Sequence, residues 1–291
     1  MELISSIIND KIDSVFVDGE IKTGFKDLDK IMSFKKSNLY VIASRPGVYK
    51  TSLLINLALN IALTNKNVYF FTLDYCKEQI IKMMASCYTN IRTINLLTND
   101  LNAEERLSLK IALDKLSKLP IYLEDDSRNS KYVIDEINQI KNGIVLIDGF
   151  EYLDISDDEI GSCKMILNKT NYQVRCNNAY KLKRAAIKSQ IPVVVTCYVP
   201  RLPKDIDREL EIKDLDRVGT IANEADTVMF LEDICSTSVI KVNMGKLERC
   251  TGEIGYAYLK HNYCGCRIED CYPEQSFLID TNEELRKERQ D

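Results

Sequence analysis

Residues Leu39 to Ser52 could bind the phosphates of a nucleotide. They read as an apolar strand, a tight loop, and a helix that opens with Lys50 and Thr51. In a phosphate-binding loop, G-x-x-x-x-G-K-[ST], backbone N–H groups and the helix N-terminus surround the phosphates, while the lysine reaches the outer phosphates and the hydroxyl binds Mg²⁺. The segment therefore predicts a nucleotide site formed by Arg45, Pro46, Gly47, Val48, Tyr49, Lys50, Thr51 and Ser52.

Two residues depart from this pattern. Ser44 stands where the first glycine is expected, and Tyr49 stands where the second is expected. Glycine at such positions permits a positive φ angle and a close approach of the ligand to the backbone. We therefore expect Tyr49 to strain the loop or block the phosphate, unless Gly47 gives the loop another path. The alternative is an ordinary strand-to-helix turn in which Lys50 and Thr51 are incidental.

Composition indicates a globular chain. Its 291 residues, 45% hydrophobic and 29% charged, fit one large α/β domain with short extensions. No run of about 20 apolar residues is present and the N-terminus lacks a signal-peptide layout, so we expect a cytoplasmic protein without a membrane span. In that compartment the ten cysteines would be reduced thiols.

Apolar strands alternate with helices along the chain, which predicts a mainly parallel sheet covered on both faces. Strands are predicted at Leu39–Ala43, Val68–Thr72, Ile121–Leu123, Ile144–Ile147, Val193–Thr196, Thr227–Leu231, Val239–Val242 and Ile254–Leu259. Helices are predicted near Thr51–Leu63, Lys77–Tyr88, Ala103–Leu119, Tyr132–Ile140 and Tyr172–Ser189. Ligands of such sheets bind at the carboxyl ends of strands, where the loop, Asp74, Asp148 and Tyr198 all fall.

Several short motifs occur in a fixed order: TGF-x-DLD, RP-x-x-x-KT, FF-x-L, LID, IPVV and EAD-x-VMFL. From about Thr23 to about Tyr258 they resemble the C-terminal motor domain of DnaB-type replicative DNA helicases. The resemblance implies a RecA-like P-loop NTPase fold with antiparallel strands at its C-terminal edge. It also implies ATP and Mg²⁺ as ligands, single-stranded DNA and replication proteins as partners, and self-association into a ring, expected to be a hexamer.

The resemblance gives roles to the residues at the strand ends. Asp148 matches the acid that holds Mg²⁺ together with Thr51, although a strand-end capping role is the alternative. The catalytic candidates are Lys50, Asp74 in place of a water-polarising glutamate, and Tyr198 in place of a phosphate-sensing glutamine. Because aspartate is shorter than glutamate and tyrosine cannot mimic an amide, we expect weakened catalysis.

Further basic residues are candidates for contacts between subunits and with DNA. Lys246 and Arg249 could be donated to the site of the next subunit, or could be solvated charges on a hairpin. The DNA-binding candidates are Arg201, Lys204, Arg208 and Arg217. Acidic residues open the first of the two loops that resemble DNA loops, and Asp216 lies in the second, so we expect weak binding of single-stranded DNA.

The expected domains are an amphipathic linker helix with its hinge (residues 1–19), a RecA-like ATPase domain (20–280) and a charged tail (281–291). The linker helix could pack on its own domain or, as the resemblance implies, on a neighbouring subunit. His261, Cys264, Cys266 and Cys271 offer zinc ligands, but their spacing matches no standard site and a hairpin turn is the alternative.

Two functions follow from these expectations. The first is an ATP-dependent motor that translocates on single-stranded DNA during replication, with weakened catalysis. The alternative is a catalytically inactive helicase-like protein that acts as a structural or regulatory partner in replication. A RecA-type recombination ATPase shares the fold, but TGF-x-DLD and EAD-x-VMFL argue against it.

Overall fold

A computed structural model of the chain describes residues 19–89, 91–154, 171–200, 208–234, 238–247, 255–262 and 265–271. The predicted linker helix and the charged tail lie outside these ranges. So do most of the first predicted DNA loop and the candidate residues Arg201, Lys204 and Arg249.

Within these residues, nine strands form one sheet in the order β3-β2-β4-β5-β1-β6-β7-β8-β9. Neighbours from β3 to β6 pair in parallel, and β7, β8 and β9 continue the sheet in antiparallel pairs. The predicted fold class is confirmed. The strands are Leu39–Ser44 (β1), Val68–Thr72 (β2), Ile121–Glu124 (β3), Ile144–Asp148 (β4), Val193–Tyr198 (β5), Thr227–Ile234 (β6), Val239–Leu247 (β7), Tyr256–His261 (β8) and Ile268–Asp270 (β9).

Helices connect the strands and cover both faces of the sheet. They are Leu28–Ile31 (α1), Lys50–Ala62 (α2), Lys77–Ser86 (α3), Thr93–Thr98 (α4), Ala103–Leu116 (α5), Ser130–Gln139 (α6), Asn171–Ser189 (α7) and Ile221–Glu224 (α8), with 3₁₀ turns at Phe150–Tyr152 and Ile212–Val218. The prediction of helix as far as Leu119 was wrong, because Pro120 disfavours helical backbone at the residue before it. None of the described helices has the length and apolar character needed to cross a membrane.

Alternation along β1 shows how the sheet divides the core. Tyr40 and Ile42 lie in a buried cluster with α2 and α3, whereas Leu39, Val41 and Ala43 lie in a second cluster with α6, α7 and α8. Successive side chains of a strand point to opposite faces, so a continuous apolar strand needs helices on both sides.

Strand register brings the predicted site residues to one edge of the sheet. Ser44, the last residue of β1, lies opposite Tyr198, the last residue of β5. Thr72 at the end of β2 lies opposite Asp148 at the end of β4. The loop after β1 therefore opens between carboxylate, hydroxyl and aromatic groups from three neighbouring strands.

Candidate nucleotide site

A cleft of about 540 Å³ lies at this edge of the sheet. Loop residues 46–52 form one wall, and Asp74, Asp148, Thr196 and Tyr198 line the others. The structure thus brings together the loop and the strand-end residues that the sequence predicts to share a site.

The loop keeps the backbone shape of its pattern despite the missing glycines. Gly47 has φ +76 and Tyr49 has φ +40, both in the left-handed region. A residue with a side chain there costs roughly 1–2 kcal/mol, so the strain expected at Tyr49 is present. The Ser44 hydroxyl donates to the carbonyl oxygens of Arg45 (2.8 Å) and Val48 (3.1 Å) inside the loop.

Lys50 is the first residue of α2 and places a cation in the cleft. Its Nζ donates to Ser44 Oγ at 3.1 Å and lies 5.9 Å from the centre of the Tyr198 ring. Burial lowers the pKa of Lys50, whereas Glu151 and then Asp148 act in the opposite direction. A half-buried ammonium at a helix N-terminus suits an anionic ligand, because the N–H groups and the helix dipole favour negative charge.

Asp148 is buried, with 3% of its surface exposed, and both of its oxygens are occupied. Oδ2 accepts from Thr51 Oγ1 at 2.8 Å, and Oδ1 accepts from Thr196 Oγ1 at 2.7 Å. Burial raises the pKa of Asp148, and these two hydrogen bonds oppose that change. Thr51 and Asp148 therefore present two adjacent oxygen ligands, the type that Mg²⁺ prefers, while Thr196 orients the carboxylate.

Glu151 is a second acid in the cleft, and sequence reasoning missed it. It lies in the 3₁₀ turn after β4, and its Oε2 accepts from Tyr198 N at 3.3 Å. Burial raises the pKa of Glu151, and the positive charge of Lys50 is among the influences that lower it. The signal that could have found it is an acid three residues beyond Asp148, in a turn opened by Gly149 at φ +99.

The two predicted catalytic residues besides Lys50 differ in exposure. Asp74 follows β2 at the mouth of the cleft and is exposed, whereas Tyr198 is half-buried beside Lys50. Both lie where a ligand on the loop would meet them, and their catalytic roles stay predictions.

The loop is also tied to the segment that contains two DNA-binding candidates. Arg45 Nη2 donates to the carbonyl oxygen of Arg208 at 3.1 Å. The Arg208 guanidinium in turn binds both oxygens of Asp214, at 2.8 and 2.5 Å, and lowers the pKa of that carboxyl. Arg208 thus fixes the 3₁₀ turn that carries the exposed Arg217, and DNA binding by both arginines stays a prediction.

Lys246 makes contacts within its own chain. Its Nζ donates to the carbonyl oxygens of Ala222 (3.0 Å) and Asn223 (3.3 Å), near the C-terminus of α8. A lysine there stabilises carbonyl groups that the helix leaves unpaired. Donation of Lys246 to a neighbouring subunit stays a prediction.

The described members of the possible zinc set do not converge. His261 stacks on Tyr49, Cys266 lies in the core cluster with α2 and α3, and Cys271 lies in a separate cluster. Strands β8 and β9 pair in antiparallel fashion, which confirms the hairpin alternative. Cys264 lies outside the described residues.

Residues 20–251 match the family described as DnaB-like helicase C terminal domain. The replicative DNA helicase DnaB of Geobacillus stearothermophilus is 32% identical over 226 residues, which are 74% of this chain and 48% of that protein. A probable plasmid replicative DNA helicase of Chlamydia trachomatis is 28% identical over 231 residues, or 77% and 49% of the two chains. The chain spans about half the length of these curated relatives.

Solved structures show the same fold. A DnaB-like replicative helicase, described with its interactions with primase, has a TM-score of 0.79 at 20% identity and covers 93% of this chain and 69% of its own. An ATPase domain solved on its own has a TM-score of 0.76 at 19% identity, over 93% and 99% of the two chains. The RadB recombinase has a TM-score of 0.52 at 19% identity, over 87% and 100%.

Proposed function

Because the chain belongs to the DnaB-like helicase C-terminal domain family, we propose that it is an ATP-driven motor that translocates on single-stranded DNA during replication. The observation that carries this proposal is the contact between Thr51 Oγ1 and Asp148 Oδ2, 2.8 Å apart, beside Lys50 at the start of α2. These three residues supply the hydroxyl, carboxylate and ammonium that a phosphate-binding loop needs.

The residues present fit a magnesium nucleotide. Thr51 and Asp148 would hold Mg²⁺, which supplies neutralisation of charge on the phosphate oxygens when bound. Thr196 keeps the Asp148 carboxylate in one orientation, and such second contacts are what fix a metal ligand in place. Lys50 would bind the outer phosphates, and the N–H groups at the start of α2 would bind the others.

Asp74 is the proposed acid that orients the attacking water. It lies at the mouth of the cleft, where a water can reach it from solvent. Its short side chain is the physical reason to expect slow turnover, because errors near 1 Å in positioning cost about 100-fold in rate.

Glu151 is proposed to oppose phosphate binding by placing a negative charge near Lys50. Glu151→Gln is expected to tighten ATP binding about 3- to 10-fold, the effect of removing one like charge at a partly solvated distance. Asp74→Asn should instead lower turnover at saturating ATP and leave affinity unchanged. Calorimetric titration and phosphate release separate the two effects.

The control for this pair is Glu104→Gln, an exposed acid on α5, which should change neither quantity. The gain from Glu151→Gln should be present above the raised pKa of Glu151 and vanish as pH falls through it, since protonation also removes the charge. Equal affinity of variant and wild type at neutral pH would contradict the proposed role of Glu151.

The alternative function, an inactive helicase-like partner in replication, is favoured by one observation. Tyr49 occupies a left-handed position in the loop that glycine holds without strain. Phosphate release with and without single-stranded DNA tests the choice. DNA-stimulated release supports the motor, and ATP binding without release supports the inactive partner.

The proposed partners are single-stranded DNA, bound weakly, and further copies of the chain in a ring. The acidic residues near the predicted DNA loops reduce the affinity for phosphates, since that affinity comes mainly from Lys and Arg contacts. Sedimentation with ATP present measures the size of the assembly, and a monomer under all conditions would contradict the ring.

A further inference from the structure

The strained residue of the loop has an aromatic partner. The rings of Tyr49 and His261 stack with centroids 4.0 Å apart and an angle of 25° between their planes. His261 is the last residue of β8, is 8% exposed, and is the single histidine of the chain. The stack therefore joins the phosphate loop to the antiparallel edge of the sheet.

A second contact ties the following helix to the same hairpin. The Asn56 side chain of α2 donates to the carbonyl oxygen of Cys266 at 2.7 Å and accepts from Ile268 N at 3.1 Å. Because Asn56 lies two turns into the helix that Lys50 begins, the β8–β9 hairpin holds both the loop and its helix.

Burial lowers the pKa of His261 to about 4, so the imidazole is neutral at physiological pH. The contact is therefore a stack between two uncharged rings. Aromatic stacking of this kind stabilises a contact by an energy comparable with the strain of one left-handed residue. The partner ring can thus offset the conformational cost of Tyr49 and keep its side chain packed against the core.

We propose that His261 is a positioning residue, which holds Tyr49 by stacking and so keeps the phosphate loop in the conformation that binds ATP. This inference rests on the proposed function. It explains how the loop retains its backbone shape without the second glycine: packing on β8 replaces the conformational freedom that glycine supplies.

A double-mutant cycle tests the proposal. His261→Ala should weaken ATP binding about 5-fold, the effect of losing one aromatic contact, while His261→Phe keeps the stack and stays within about 2-fold. In a Tyr49→Gly background, His261→Ala should have no effect, because glycine adopts the left-handed conformation without a partner. Turnover at saturating ATP should be unchanged, which separates positioning from catalysis.

The lone histidine gives an independent readout by NMR. Its ring protons should carry a ring-current shift from Tyr49 that disappears in Tyr49→Leu, and they should shift again when ATP is added to wild type. If wild type binds ATP and His261→Ala binds it equally well, only this inference is overturned. If wild type binds no ATP, the proposed function fails and the inference fails with it.

Discussion

Lys50→Ala is expected to weaken ATP binding by more than about 100-fold and to abolish turnover, since the loss of one positioned donor to developing charge costs about 10²–10³ in rate. Lys50 is the cation at the N-terminus of α2, and its ammonium donates to Ser44 Oγ at 3.1 Å on the floor of the loop. Alanine leaves the backbone N–H groups but removes the charge that the outer phosphates would meet.

The same change should leave the fold intact. Alanine is a better helix former than lysine, and its side chain carries no charge that burial would desolvate. The unfolding midpoint should therefore stay at or above that of wild type. Lys66→Ala, at an exposed lysine beyond the end of α2, is the matched control. Wild-type affinity for ATP in Lys50→Ala would place the nucleotide elsewhere.

Asp226→Ala is expected to lower the free energy of unfolding by about 3–5 kcal/mol, the usual result of removing one partner of a buried ion pair. Asp226 is 3% exposed, accepts from Leu39 N at 2.8 Å, and binds Lys183 Nζ. It joins the start of β1 to α7, so its loss leaves a buried amide and a nearly buried ammonium without their carboxylate.

Denaturant unfolding measures this effect, with Asp216→Ala at an exposed aspartate as the control. The control should change the free energy of unfolding by about 0.5 kcal/mol or less, as surface substitutions do. A similarly small change in Asp226→Ala would show that the ion pair does not stabilise the sheet. The acid of the EAD motif then would need a role in the site.

The sequence predicted the parts of this molecule that depend on period and strand ends. The apolar run of β1 reveals two covered faces, because its alternate residues must both be buried. The carboxyl-end rule places Ser44 beside Tyr198 and Thr72 beside Asp148. Helix α4, with 6 residues, and strand β9, with 3, were not predicted, since such short segments do not show a period.

The rest of the site depends on contacts between residues far apart in the chain. Tyr49 reads as a lesion in the loop, and only the folded chain shows that His261 packs against it. Glu151 enters the cleft because Gly149 turns the backbone after β4, a left-handed turn that the residue type alone does not fix. Arg208 reads as a DNA contact, whereas its guanidinium is bound by Asp214.

The central claim is that this loop binds ATP although Tyr49 replaces its second glycine. Calorimetric titration of the purified protein with ATP and Mg²⁺ tests it most directly, with Lys50→Ala measured in parallel. We predict saturable binding to wild type that the variant loses. Absence of binding to wild type at millimolar ATP would contradict the claim and leave the inactive partner as the function to pursue.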